Sequence, residues 1–202
     1  MTELQFYSTI EKPALAEFKD RGSKFIAYAF PISSVEAFKE KLNAIKKDHP
    51  KATHHCFAYR LGLDKNNFRL SDAGEPSGTA GKPILSQIDS RNLTNTLVIV
   101  VRYFGGTLLG VPGLINAYKS AAALALQLTP VIVKPVTDRY NLQFDYTQMN
   151  EVMGVIRSCQ CVIVENETQL FCKMIVEVPL NRLQEFLLKI ENLYRVELSK
   201  DA

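Results

Sequence analysis

The chain has 202 residues, enough for one large core or two modest ones, and its 47% hydrophobic and 22% charged residues are those of an ordinary globular protein, which excludes wholesale disorder. The apolar runs, LVIVV at 97–101 among them, do not exceed six residues and are far shorter than the roughly 20 residues of a membrane-crossing helix. The opening stretch, MTELQFYSTIEKPALAEFKDRGSK, has no apolar segment of the kind a signal peptide needs, so a cytoplasmic protein with no membrane partner is expected. The net charge of +3 is unevenly divided: residues 1–135 hold 17 Lys and Arg against 11 Asp and Glu, whereas residues 136–202 hold 7 against 10. A basic front and an acidic back point to different partners for the two parts. The cysteines, Cys56, Cys159, Cys161 and Cys172, match neither a disulfide framework nor a zinc pattern, and reduced thiols are expected.

Residues 24–32 (KFIAYAFPI) read as a first strand. Ser33 and Ser34 are N-cap candidates for a helix carrying Val35, Phe38, Leu42 and Ile45 at helical spacing, with Pro50 beyond its end. Residues 53–61 alternate. His55, Phe57, Tyr59 and Leu61 share one face, while His54, Cys56, Ala58 and Arg60 share the other. A polar turn at 64–67 leads to a short segment at 68–70. Residues 71–83 (SDAGEPSGTAGKP) form a glycine- and proline-rich loop, followed by a short helix at 84–88. The run 96–101 (TLVIVV) predicts a strand at the centre of a sheet. A second glycine-bearing loop, 102–113, precedes an alanine-rich helix at 114–128.

Beyond Pro135 the pattern becomes strand (137–146), helix (147–158), strand (161–165), strand (170–178), helix (180–193) and strand (194–198). This order is the split βαβ, or ferredoxin-like, arrangement. It places a domain boundary near residue 135, giving domains 1–135 and 136–202 in an α+β protein.

Four segments, RGSKFIAYAFPI (21–32), ATHHCFAYRLG (52–62), SDAGEPSGTAGKPIL (71–85) and VVRYFGGTLLGVPGLINAYKSAA (100–122), together resemble the IMPACT N-terminal (YigZ-type) family. The resemblance implies a first domain similar to a ribosomal-protein second domain and to domain IV of elongation factor G. It also implies a ferredoxin-like second domain similar to domain V of that factor. Animal and fungal members of the family are similar to regulators that restrain a starvation-sensing translation-initiation kinase through an additional N-terminal domain.

Glycines 74, 78 and 81 permit backbone N–H groups to converge on an anion, with Ser77, Thr79 and Lys82 as further donors and Asp72 and Glu75 as the nearby acids. The loop is not a Walker A motif, because Pro83 follows Lys82. Arg102, leaving a strand, is placed to grip a phosphate, with Tyr103 or Phe104 stacking on a base; the alternative is an Arg102 pair with Glu75 or Asp72 that pins the two loops together. His54 and Arg60 read as an anion-contacting polar face. His54 and His55 point to opposite sides of their strand, so no metal site is expected. Ser77 lacks a nucleophile-elbow context.

These features favour a translation-associated protein that binds RNA or the ribosome through His54, Arg60, Asp72, Glu75, Ser77, Thr79, Lys82, Arg102 and Tyr103, without cofactor. An enzyme acting on a small phosphorylated or nucleotide-like substrate is the rival, and an adaptor docking a protein partner on its acidic second domain is the third reading. The whole binding argument requires the two glycine loops to meet around an anion-friendly pocket.

Overall fold

The computed structural model describes residues 5–64 and 66–201; of the charged N-terminal stretch and the turn at 64–67, residues 1–4 and Lys65 lie outside the described residues. The chain divides into two units, Tyr7–Val133 and Lys134 onward, with Gln5 and Phe6 belonging to the second. The Gln5 carbonyl accepts a 2.8 Å hydrogen bond from the Val136 amide, which ties the start of the chain to that second unit.

The first unit is built on strands β1 (Phe6–Ile10), β2 (Ala14–Asp20), β3 (Ser23–Pro31), β4 (His54–Leu61), β5 (Asn67–Ser71) and β6 (Thr96–Tyr103), with helices α1 (Val35–Asp48), α2 (Gly81–Ser90) and α3 (Gly110–Gln127). Five of the strands form a sheet in the order β2-β3-β6-β4-β5 in which every neighbouring pair is antiparallel. As the TLVIVV run predicts, β6 is central, and all of its residues but Tyr103 are buried. A separate two-stranded sheet pairs β1 with β7 (Val131–Pro135).

Each face of the five-stranded sheet has its own core. On one, Phe38 and Ile45 of α1 pack with Phe57, Tyr59, Leu61, Leu97, Ile99 and Val101. On the other, the strands present small residues, Ala27, Ala29, Cys56 and Ala58, to the alanines of α3 and to Ile84 and Ile88 of α2. Small side chains on both sides let helix and sheet approach closely, and Tyr118 and Leu126 are the large side chains of α3 that lie fully buried in this layer. The alternation expected for β4 is present, but the face carrying Cys56 and Ala58 is core, not polar surface.

Three features depart from the sequence reading. Strands β1 and β2 were hidden in the charged N-terminal stretch, because an edge strand such as β2 buries only alternate small residues; Ala16 is buried while Leu15 is half exposed. Helix α3 begins at Gly110, ahead of the predicted 114, since Pro112 sits in the first turn where no N–H is needed. The same rule lets α2 begin at Gly81 with Pro83 in its first turn. Gly81 itself packs against the strand, as an added Cβ would lie 3.0 Å from the Ser71 amide nitrogen.

The second unit carries β8 (Thr137–Asp145), α4 (Met149–Ser158), β9 (Val162–Glu167), β10 (Phe171–Pro179), α5 (Leu183–Glu191) and β11 (Val196–Lys200). Its sheet order is β11-β8-β10-β9 with antiparallel neighbours, so β10 lies between the two strands that α4 connects. This is the split βαβ topology read from the sequence. Leu142, Phe144, Met174 and Val176 alternate inward from the sheet onto Val152, Ile156, Phe186 and Ile190 of the helices. Among the described residues no helix is long and apolar enough to cross a membrane.

Candidate functional site

Strand register builds the site. Arg102 is the Cα partner of Phe25 on β3 and of His54 on β4, so the three form one row across the end of the sheet. Their side chains share the face covered by α2 and α3, and Tyr103, the next residue along, falls on the opposite face. The Arg102 guanidinium lies over two rings, 5.4 Å from the Phe25 centroid and 5.5 Å from that of Phe104.

Glu75 meets this row from the glycine loop. One of its carboxylate oxygens, Oε1, accepts from Arg102 Nη1 and from the Tyr118 hydroxyl, each at 2.7 Å. Both charged side chains are almost wholly buried, 3% exposed for Glu75 and 6% for Arg102. Behind them the Cys56 thiol lies 3.3 Å from the Tyr118 hydroxyl and 3.0 Å from the Asp72 carbonyl oxygen. Burial pushes the Cys56 thiol up to about 12 and raises the Tyr118 phenol as well. Neither is a nucleophile at neutral pH. His54 Nδ1 lies 2.8 Å from the Ala73 carbonyl oxygen, which only accepts, so Nδ1 carries the proton; Nε2 is 3.8 Å from Glu75 Oε1. Arg102 also donates through Nη2 to the Ser23 hydroxyl at 3.3 Å, while its buried Nε has no hydrogen-bond partner among the described residues.

The glycine loop does gather backbone donors, but its own aspartate fills them. Asp72 Oδ2 accepts from the Gly78 amide at 2.8 Å, and Oδ1 accepts from Ala80 at 3.0 Å and Gly81 at 2.8 Å. Burial pushes the Asp72 carboxyl up, yet these three N–H groups and the Lys82 charge outweigh it and hold the group below its ordinary value. The internal carboxylate thus serves as the anion at the start of α2.

The two glycine loops meet as required, around an open hollow of about 430 Å³. Glu75 and Pro76 contribute from the first loop and Arg102, Phe104, Leu108 and Leu109 from the second, while Thr53 and His54 of the β4 end and Val111 and Leu114 of α3 complete it. Its walls are apolar and its floor is a neutralised ion pair, so it is not the anion-friendly pocket the sequence suggested.

The nine predicted residues therefore separate. His54, Glu75 and Arg102 converge on the hollow. Asp72 and Thr79 are spent inside the loop, the Thr79 hydroxyl donating to the Pro76 carbonyl at 2.7 Å. Ser77, on the loop, and Lys82, on the first turn of α2, are exposed and are not among the residues lining the hollow. Arg60 is at the far end of β4, bonded to Asp89 and 5.1 Å from the Phe68 ring centroid, with buried Cys56 and Ala58 between it and His54. The expected His54–Arg60 face is thus interrupted by core. Tyr103 packs on the α1 side, where its hydroxyl and that of Tyr28 bracket His49 at 2.8 and 2.6 Å. The missed residues are Thr53, Tyr118 and the apolar wall Leu108, Leu109, Val111 and Leu114. Tyr118 alone carried a signal, as a single aromatic in an alanine-rich helix. Among the described residues no group of three or more His, Cys, Asp or Glu is placed to hold a metal.

Fold and site define a two-unit α+β protein whose first unit presents an apolar hollow over a buried Arg–Glu pair. The family described as the Impact N-terminal domain matches residues 21–126, the segment that contains every residue of the hollow. The chain is 36% identical over 179 residues to the IMPACT family member YigZ of Escherichia coli, covering 87% of each. It is 32% identical over 192 residues to the IMPACT family member YvyE of Bacillus subtilis, covering 94% of this chain and 88% of that one. The crystal structure of a hypothetical protein superposes with a TM-score of 0.78 at 30% identity, covering 99% of both chains. The chain belongs to the IMPACT family.

Proposed function

We propose that the protein is a translation-associated regulator whose first unit binds RNA or the ribosome. The observation that carries this reading is the hollow at the end of β6: an aromatic ring, Phe104, stands 47% exposed over a guanidinium, an arrangement suited to base stacking, in the part of the chain that holds the positive excess. Lys82 on the first turn of α2 and Ser77 on the glycine loop, both exposed, supply phosphate contacts. Arg102 has a different role from the one its strand-end position suggests. Held by Glu75, it organises the site rather than gripping phosphate. The family resemblance implies a likeness to the last two domains of elongation factor G, a factor that works on the ribosome, and the acidic second unit is the one left for a protein partner.

Binding through phosphate is salt-sensitive. The protein is expected to co-sediment with ribosomes at low salt and to be released as salt rises. Lys82→Ala is expected to weaken the association and to reduce the slope of log affinity against log salt by about one. Absence of any association with ribosomes or structured RNA at low salt overturns the reading.

A further inference from the structure

We propose that the hollow between the glycine loop and the start of α3 is a nucleobase pocket. The inference deepens the RNA reading and rests on it only for the source of the base. The hollow, at about 430 Å³, has the size of small-molecule sites, which run from about 300 to 1,000 Å³. Its walls suit a flat apolar body: Phe104, Leu108 and Val111 are 47%, 82% and 52% exposed, far more than such side chains need to be if they only closed a core.

The floor selects what lies at the edge of that body. Arg102 Nε–H is a buried donor without an acceptor among the described residues, and a donor in that position is costly to leave unpaired. In the neutral His54 ring, the proton on Nδ1 leaves Nε2 as an acceptor at the same end of the sheet. A donor and an acceptor on neighbouring strands at one end of the sheet are the kinds of group that the amide-like edge of a base, an acceptor next to a donor, complements. An aliphatic side chain would fill the walls and leave the arginine donor as it is. A phosphate or carboxylate finds no free cation on the floor, because Glu75 already neutralises Arg102 at 2.7 Å. The ring of Phe104 now covers the guanidinium. A base that stacks on the exposed side of that ring continues the stack begun on the guanidinium.

The base has two possible sources, an unpaired position in an RNA strand or a free nucleoside. Titration of the full-length protein with adenosine, guanosine, cytidine and uridine, which carry no phosphate, tests the pocket at a salt concentration that removes phosphate contacts. Amide NMR signals of His54, Phe104 and Val111 are expected to move with at least one nucleoside. Phe104→Ala is expected to weaken binding about tenfold or more, and Phe104→Trp to retain it; the exposed position of Phe104 keeps both variants folded. Tighter binding of a single-stranded oligonucleotide than of its nucleoside supports the pocket with RNA as source, and equal binding supports it with the free nucleoside. Silence of these signals with all four nucleosides at millimolar concentration, or unchanged affinity in Phe104→Ala, overturns the pocket. Low-salt ribosome association is read separately. If it persists while the nucleosides fail, only the base pocket falls; if nucleosides bind and ribosomes do not, the pocket stands and the RNA reading falls.

Discussion

The residue-scale logic of the site is one buried charge pair and the groups that keep it satisfied. Two buried ions are tolerable only when each has its partner and the remaining hydrogen bonds are made, a condition that Tyr118 and Ser23 help to meet. Removing one ion leaves the other stranded. Glu75→Ala is therefore expected to cost about 3–5 kcal/mol, read as a fall in the urea midpoint at unchanged slope, and the double variant Glu75→Leu with Arg102→Met to recover much of it. A Glu75→Ala protein as stable as the parent would mean that the pair is not buried in solution. Asp72 follows the same economy on a smaller scale. Three amides that a bound anion might have used are taken by a carboxylate nine residues or fewer away in the chain. Which anion a nest of N–H groups receives is decided by local concentration, and the tethered one wins.

At the scale of elements, the hollow depends on a close crossing of backbones. A Cβ on Gly105 would lie 1.9 Å from the Gly22 carbonyl carbon, so the turn before β3 and the turn after β6 touch with no side chain between them. The contact holds the row of Phe25, Arg102 and His54 at the mouth of the site, and the Ser23 hydroxyl accepts from the Gly105 amide at 3.2 Å to lock it. Gly105→Ala is expected to destabilise the first unit by about 4 kcal/mol or more and to disorder the hollow. Gly106→Ala is the control: its φ of +84° is strained for alanine, but its Cβ would meet nothing, so a cost of about 1–2 kcal/mol is expected. Paired urea unfolding curves check both, and equal costs would remove the crossing as the cause. None of this could be read from GG in the sequence, because a loop glycine needed for φ and one needed for space look alike until the opposing backbone is in view.

At the scale of the whole molecule, the cores do not mix. Phe186 and Ile190 belong to a cluster made wholly of second-unit residues, and the two layers of the first unit are made without them. Phe186→Ala, which empties a fully buried ring, is expected to cost about 3–5 kcal/mol and to speed native-state hydrogen exchange in β8 and β10. Amides of β6 are expected to keep their protection, and their loss in this variant would show one cooperative unit instead of two. The sequence by itself determined the elements with a strong period, namely α1, β4, β6 and the βαββαβ order of the second unit, because burial of an amphipathic or wholly apolar segment writes its period into the residues. It also carried the family, in four ordered motifs. Only the tertiary structure decided which of the polar residues in those motifs meet. Pleat separated Arg102 from Tyr103, strand length separated His54 from Arg60, and packing brought Glu75 and Tyr118 onto Arg102 from segments 27 and 16 residues away along the chain. Such pairings are made across strands and between layers, where distance along the chain carries no information about distance in space.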